Sequence, residues 1–238
     1  MAKLRDMFNS EKYVIAMIHL AGSGRKDVIK RALEELEIYE KEGVDGAIIE
    51  DYHGTLQNIC DVLLESKREE RKIIRGVNYL RNPYLGFEVA DDFNAKFVQF
   101  DSVQTPDLKL EEYNDLRKRF KNIAVLGGVG FKYINPTGNP IEKDLDEGKS
   151  RCEAIVTTGN GTGIETPIWK LKQYKEILKK FPLIVGAGVN LGNVSEQLRV
   201  CDGAIIGSYF KENGNTRLPV DKYKVRDLMS AVKEVRKD

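Results

Sequence analysis

Cysteine is scarce in this sequence. Its three cysteines, Cys60, Cys152 and Cys201, stand far apart, with no spacing that suits a metal site or a disulfide framework. They read as small buried side chains in a reducing compartment. Histidine is scarcer, with two residues. His19, Asp51 and His53 could be assembled as metal ligands, but no short-range spacing joins them, so no metal and no cofactor is expected. Excess charge of one sign is missing as well: 38 basic residues face 37 acidic ones, with no basic block and no acidic tail. Nucleic-acid binding therefore lacks its electrostatic footprint. No apolar run approaches the roughly 20 residues that span a bilayer. The opening MAKLRDMFNSEKY also lacks the apolar centre of a signal peptide. These absences lead to the expectation of a soluble cytoplasmic protein without membrane insertion.

What is present is an alternation. Apolar runs of strand length stand at Tyr13–Leu20, Gly46–Glu50, Lys72–Leu80, Phe97–Val103, Ile123–Leu126, Glu153–Thr158, Leu183–Val185 and Ala204–Ile206. Helical patterns separate them at Asp27–Glu42, Thr55–Ser66, Gly86–Phe93, Glu111–Phe120, Ile141–Arg151, Pro167–Phe181 and Asn193–Val200, and Lys222–Arg236 follows the last run. Strands that are continuously apolar are covered on both faces, which is the mark of a parallel sheet. Eight strand-helix units in 238 residues fit one closed (β/α)8 TIM barrel spanning 1–238. An open doubly wound sheet would offer a GxGxxG after its first strand, where this chain has AGSGRKD. The segment Asp45-Gly46-Ala47-Ile48-Ile49 recurs as Asp202-Gly203-Ala204-Ile205-Ile206, with a looser copy at Glu153-Ala154-Ile155-Val156. A repeated local problem, a tight turn entering a packed barrel strand, accounts for the echo.

In a barrel the C-terminal ends of all strands meet at one mouth. The polar residues at those ends include His19, Glu50, Asp51, Asn78, Arg81, Asp101, Lys132, Thr158, Asn190 and Ser208. A carboxylate closing an apolar strand is costly if left unpaired. Glu50 or Asp51 could be tied in a rim salt bridge to Arg81 or Lys132. The functional alternative is a general acid/base, with Glu50 first because it continues the Ile48-Ile49 run. Lys132 reads as a charge partner or a reactive amine, and His19 as a structural or a mouth histidine. His53, in the YHGT loop, reads as surface. Three neighbouring strand ends are rich in glycine: TTGNGTG (157–163), Gly186-Ala187-Gly188 and Gly207-Ser208. Such turns can serve only as tight connections, or their bare N–H groups can cradle a phosphate. Three adjacent turns favour the phosphate.

IAMIHL, EGVDGAIIED and GVNYLRN at the first three strands resemble the BtpA/SgcQ family. So do AIVTTGNGTG, LIVGAGVNLGNV and DGAIIGSYFKENGNTRLPVDKYKVRDLM, and the likeness is most specific from Ala154 to Met229. The family's first strand is usually followed by a PLPG-like turn and its second by an ENFGD-like loop. This chain has AGSG and EDYHGT there, both at the mouth, so its substrate is expected to differ from that of typical members. The resemblance implies a TIM barrel of the phosphate-binding superfamily, described as a predicted enzyme. One branch is linked to photosystem I biogenesis and another sits among sugar-metabolism genes. Glu50 also stands where the tryptophan synthase α-subunit, a barrel of that superfamily, carries its catalytic glutamate, an analogy at the level of fold.

The leading expectation is an enzyme for a small phosphorylated metabolite, a sugar phosphate or phosphoribosyl compound, working by isomerase, lyase or glycosyl-transfer chemistry. Thr158, Gly159, Gly161, Gly186, Gly188, Gly207 and Ser208 would hold the phosphate, and Asn78, Arg81 and Asn190 the rest of the substrate. Glu50, Asp101, Asp51, Lys132 and His19 are the candidate catalytic groups. The rival is a non-catalytic assembly factor that keeps the barrel. A metal-dependent epimerase comes third, because Asn78 and glycines occupy places where such enzymes carry a His and an Asp. A homo-oligomer is compatible with all three.

Overall fold

The computed structural model describes residues 4–237. Eight strands close into one all-parallel barrel in chain order. They are β1 (Tyr13–Ile18), β2 (Gly46–Glu50), β3 (Ile74–Asn78), β4 (Phe97–Phe100), β5 (Ala124–Gly128), β6 (Ala154–Thr158), β7 (Leu183–Gly186) and β8 (Gly203–Ile206). β8 returns to β1 with Tyr13 opposite Gly203, so no sheet edge is left. The outer helices are α2 (Arg25–Glu42), α3 (Leu56–Arg68), α4 (Leu85–Asp92), α5 (Leu110–Arg119), α6 (Ile141–Arg151), α7 (Ile168–Leu178), α8 (Val194–Val200) and α9 (Lys222–Val235). The expected (β/α)8 barrel is therefore the observed one. Several strands are shorter than their apolar runs: β1, β3 and β4 stop before Leu20, Leu80 and Val103 because the chain there leaves the ladder for the mouth.

An element absent from the sequence reading precedes the barrel, α1 (Leu4–Phe8). Its Phe8 ring stacks on Tyr13 with centroids 4.8 Å apart and meets Phe97 edge-on. A Cβ at Gly46 would lie 2.7 Å from the Phe8 ring, so glycine there lets α1 plug the N-terminal end of the barrel.

Strand geometry sorts the side chains with a period of two. Along β1, Tyr13, Ile15 and Met17 join the inner core with Ile48, Phe97, Leu126, Val156, Ile184 and Ile205. Val14, Ala16 and Ile18 face outward to the helices. Continued upward, the same parity turns His19, Glu50, Asn78, Gln99, Asp101, Thr158 and Gly186 toward the barrel axis. Asp51 falls on the opposite parity. Register thus separates two adjacent carboxylates before any other force acts.

The sequence echo has a physical cause. Asp45 accepts from the Val14 N–H at 2.7 Å, Glu153 from Val125 at 2.7 Å and Asp202 from Leu183 at 2.8 Å. Each acid stands at the entry of one strand and receives an N–H from the first two residues of a neighbour. Each also pairs with a helix cation, respectively Arg236, Arg117 and Lys175.

Candidate active site

At the top of the inner core lies a cavity of about 140 Å³. His19, Glu50, Asp101 and Lys132 line it together with Thr158, Thr162 and Gly186. Strand parity supplies the first three, and the loop after β5 carries Lys132 over the top.

Glu50 is buried at 6% exposure, and no cation among the described residues stands within ion-pair distance of it. Its partner is an amide: Asn78 Nδ2 donates to Glu50 Oε1 at 2.8 Å and reaches Asp101 Oδ1 at 3.4 Å. Gln99 Nε2 donates to the same Asp101 oxygen at 2.8 Å. Burial, and then the neighbouring Asp101 charge, push the Glu50 carboxyl from its ordinary 4.5 up to about 8; Lys132 and the Asn78 bond pull the other way. Burial also raises Asp101 above the usual carboxylate range, against the pull of Gln99, Lys132 and Asn78. Two carboxyls are bridged by an amide, and the deeper one keeps its proton at neutral pH. That pair can give and take a proton near physiological pH.

His19 is the reverse case. Burial first, then the positive charges of Lys211, His53 and Lys132, hold its imidazole well below its ordinary value. It is therefore neutral at pH 7, and its buried Nδ1 has no hydrogen-bond partner among the described residues. A Cβ on Gly207 would sit 3.0 Å from His19 Cε1, so Gly207 leaves room for the ring. Lys132 Nζ donates to Thr162 Oγ1 at 3.1 Å, and its backbone N–H donates to Thr158 Oγ1 at 2.6 Å.

Asp51 stands apart from this group. One of its oxygens accepts the Leu80 N–H at 2.7 Å and the other Arg81 Nη1 at 2.6 Å. The rim salt bridge is thus formed by Asp51 and Arg81, and neither side chain lines the cavity. Asn190 is spent on its own loop, bonding Gly188 O and the Gly192 N–H. His53, read as surface, is half-buried and its Nε2 lies 2.9 Å from Thr216 Oγ1. The ligands of a three-residue metal site do not converge. Among the described residues no three His, Cys, Asp or Glu side chains are grouped to hold an ion.

The three glycine-rich strand ends do meet. A Cβ on Gly188, whose φ is +66°, would lie 2.3 Å from the Glu165 N, and one on Gly159 would lie 2.6 Å from the Glu165 O. Both glycines let the loop after β6 lie backbone-to-backbone against its surroundings, which is the connection reading. A Cβ on Gly163 would be 3.4 Å from Ser208 Oγ, so loops 6 and 8 face one another. Gly161 lies under Ile164 and the Tyr133 hydroxyl. Thr158 and Gly186 border the cavity. Among the described residues no chain acceptor takes the backbone N–H of Gly188 or Ser208. Neither residue is among those lining the inner cavity.

Sequence reasoning passed over three residues here. Gln99 shares the inward parity of Asp101, a signal present in the alternation of FVQFD. Tyr52 and Tyr133 reach the site from loops, where periodicity carries no information; Thr162 belongs to the TTGNGTG loop already singled out.

A family model for the BtpA family matches residues 10–234. An uncharacterized protein of Archaeoglobus fulgidus is 30% identical over 94% of this chain and 99% of its own. The photosystem I biogenesis protein BtpA of Synechocystis is 25% identical over 97% and 91%, and the sgc region protein SgcQ of Escherichia coli is 26% identical over the full length of both. Among solved structures, phosphoribosyl anthranilate isomerase from Thermococcus kodakaraensis superposes with a TM-score of 0.64 at 15% identity, covering 93% of this chain and 99% of that one. At that identity the likeness speaks for the fold alone. Among the described residues no helix is long and apolar enough to cross a membrane.

Proposed function

The chain belongs to the BtpA family, and from that premise we propose that it is an enzyme of the cytoplasm acting on a small phosphorylated metabolite, a sugar phosphate or phosphoribosyl compound. One observation carries the reading. Glu50 ends an apolar strand on the wall of the inner cavity, its bonded partner is an amide rather than a cation, and burial with the neighbouring Asp101 charge raises its carboxyl to about 8. A purely structural acid at that place would be paired, as Asp51 is.

Glu50 is the proton donor and acceptor. Asp101 takes up the complementary role through Asn78, and Lys132 offsets negative charge that develops on the substrate. The N–H groups of Gly188 and Ser208, with Thr158 and Gly186, are the phosphate cradle. Binding energy spent on the phosphate positions the reacting carbon over Glu50. The reaction class is proton transfer at carbon, as in an isomerase or a lyase, or a glycosyl transfer. The name of the Thermococcus neighbour puts a phosphoribosyl compound on this same fold.

The test is a thermal-shift screen against inorganic phosphate, sugar phosphates and phosphoribosyl compounds. Stabilisation should reach about 2.7 kcal/mol at a hundredfold excess over Kd. G207V, which drives its side chain into His19, should abolish a hit, whereas E50Q should bind but not turn over. A second reading rests on the Synechocystis relative, named for photosystem I biogenesis. Under it the barrel binds a protein partner, no phosphorylated compound shifts the melting temperature, and E50Q keeps full partner binding.

A further inference from the structure

Beside the inner cavity lies a second one of about 490 Å³, beneath the loop that joins β5 to α6. Ligand sites commonly measure about 300–1,000 Å³. The inner cavity alone falls short of that range and the outer one lies within it. Phe131, Lys132 and Tyr133 line both, so a single stretch of three residues is the partition between them. The partition is fastened to loop 6 from one side: Lys132 Nζ donates to Thr162 Oγ1, and the Tyr133 hydroxyl accepts the Thr162 N–H at 3.0 Å.

The outer cavity is lined by two cations, Lys132 and Lys170, and one acid, Asp144. Lys170 Nζ donates to Gly130 O and Thr158 O, both at 2.7 Å, which leaves one of its three N–H groups for the cavity it borders. Burial lowers this amine to about 8, as expected for a cation with no carboxylate partner. The acid lining this cavity, Asp144, is already satisfied: one oxygen accepts from Thr137 at 2.7 Å and the other from Asn139 at 3.1 Å. Lys170 and Lys132 are thus cations whose hydrogen bonds, among the described residues, go to neutral groups. The site is shaped for them, since a Cβ on Gly130 would lie 2.2 Å from the Tyr174 hydroxyl and 3.3 Å from Lys170 Nζ.

We infer that the two cavities are halves of one substrate site, and that the outer half receives a second anionic group of the substrate, carboxylate or phosphate, on Lys170. The assignment of the inner half rests on the proposed acid/base function. The substrate class is accordingly a phosphorylated metabolite with a further anionic group on the side of the β5–α6 loop, away from the strand ends of β7 and β8.

Lysine footprinting on the full chain tests this. Acylation of each lysine by acetic anhydride at pH 8 is followed by mass spectrometry, with and without inorganic phosphate or succinate. At a tenfold excess over Kd, Lys170 labelling should slow by about tenfold, while the exposed Lys109 and Lys118 should label unchanged. Protection by phosphate alone identifies a phosphoryl group, and protection by succinate shows that a carboxylate suffices. A Lys170 rate indifferent to both anions overturns the inference. Where Lys170 proves too slow to label, K170M decides. In the wild type pyrophosphate should give a larger thermal shift than phosphate, and K170M should remove that difference; a difference that survives overturns the inference. G207V separates the two readings. Lys170 protection that persists in G207V, with no turnover of any phosphorylated compound by the wild type, removes the acid/base function and leaves the outer anion site standing.

Discussion

Three acids at the closed end of the barrel, Asp45, Glu153 and Asp202, each hold a strand N–H and a helix cation. Two acids at the open end, Glu50 and Asp101, hold only amide donors from Asn78 and Gln99. Both sets are carboxylates at strand ends, and β2 carries one of each, Asp45 and Glu50; what differs is the partner. A cation beside a carboxylate stabilises its charged form and fixes the turn. An amide in a buried pocket leaves the charge poorly offset, so the proton stays on. The closed end uses acids to hold the fold, and the open end holds them ready to titrate, as expected where stability and chemistry occupy opposite faces of a barrel.

Removing the carboxyl at the open end gives the largest expected effect. E50Q should lower turnover by about 10²–10⁴-fold, the usual contribution of a positioned acid/base. It should also change how stability depends on pH. The folded value of Glu50 is raised to about 8 from an ordinary 4.5. Between those two pH values the folded chain holds a proton that the unfolded chain has lost. Wild-type stability should therefore fall as pH rises through this window, by about 1.4 kcal/mol per unit from this group, and level off above it. Asp101, also raised, adds a slope of the same sign. In E50Q the Glu50 part vanishes, so the variant should gain on the wild type steadily from pH 5 to 8 in urea unfolding. Parallel curves would mean that Glu50 is as well satisfied as Asp45.

Much of this contrast was readable in the sequence, and the unread part has a common cause. Eight apolar runs separated by amphipathic stretches dictate a closed parallel barrel, and strand parity then aims Glu50 and Asp101 inward. Asp51 was the ambiguous neighbour. Its distinction from Glu50 depends on register, which is visible only once Ile48 is known to face the axis. The plug helix Leu4–Phe8 escaped because five residues carry too little periodicity, and its stability comes from the Tyr13 and Phe97 rings. Tyr133 and Lys170 escaped because their partners, Thr162 and Gly130, lie 29 and 40 residues away in the chain. Loop glycines were read as one class. The structure divides them into positions required by backbone approach, such as Gly159 and Gly188, and a position bordering the cavity, Gly186.

The closed end can be broken in the complementary way. D45A deprives the Val14 N–H and Arg236 of their shared partner. A buried donor left unmet costs about 1–3 kcal/mol, so the denaturation midpoint should drop while ligand-induced thermal shifts stay the same size. Loss of ligand response in D45A at temperatures where it is fully folded would show that the two ends are coupled.

The smallest effect belongs to the partition between the cavities. Tyr133 is 74% exposed and held at φ +64°, and its hydroxyl binds the Thr162 N–H. Y133F removes that acceptor and touches neither the strands nor the buried acids. Its melting temperature should match the wild type, and its pH–stability curve should overlay it. Hydrogen exchange at the Thr162 amide should accelerate, with the amides of β6 (Ala154–Thr158) unchanged, because only the fastening of the loop has been cut. Faster exchange throughout β6 would instead make Tyr133 a brace of the barrel itself, and the open end would then share the structural duty assigned to the closed one.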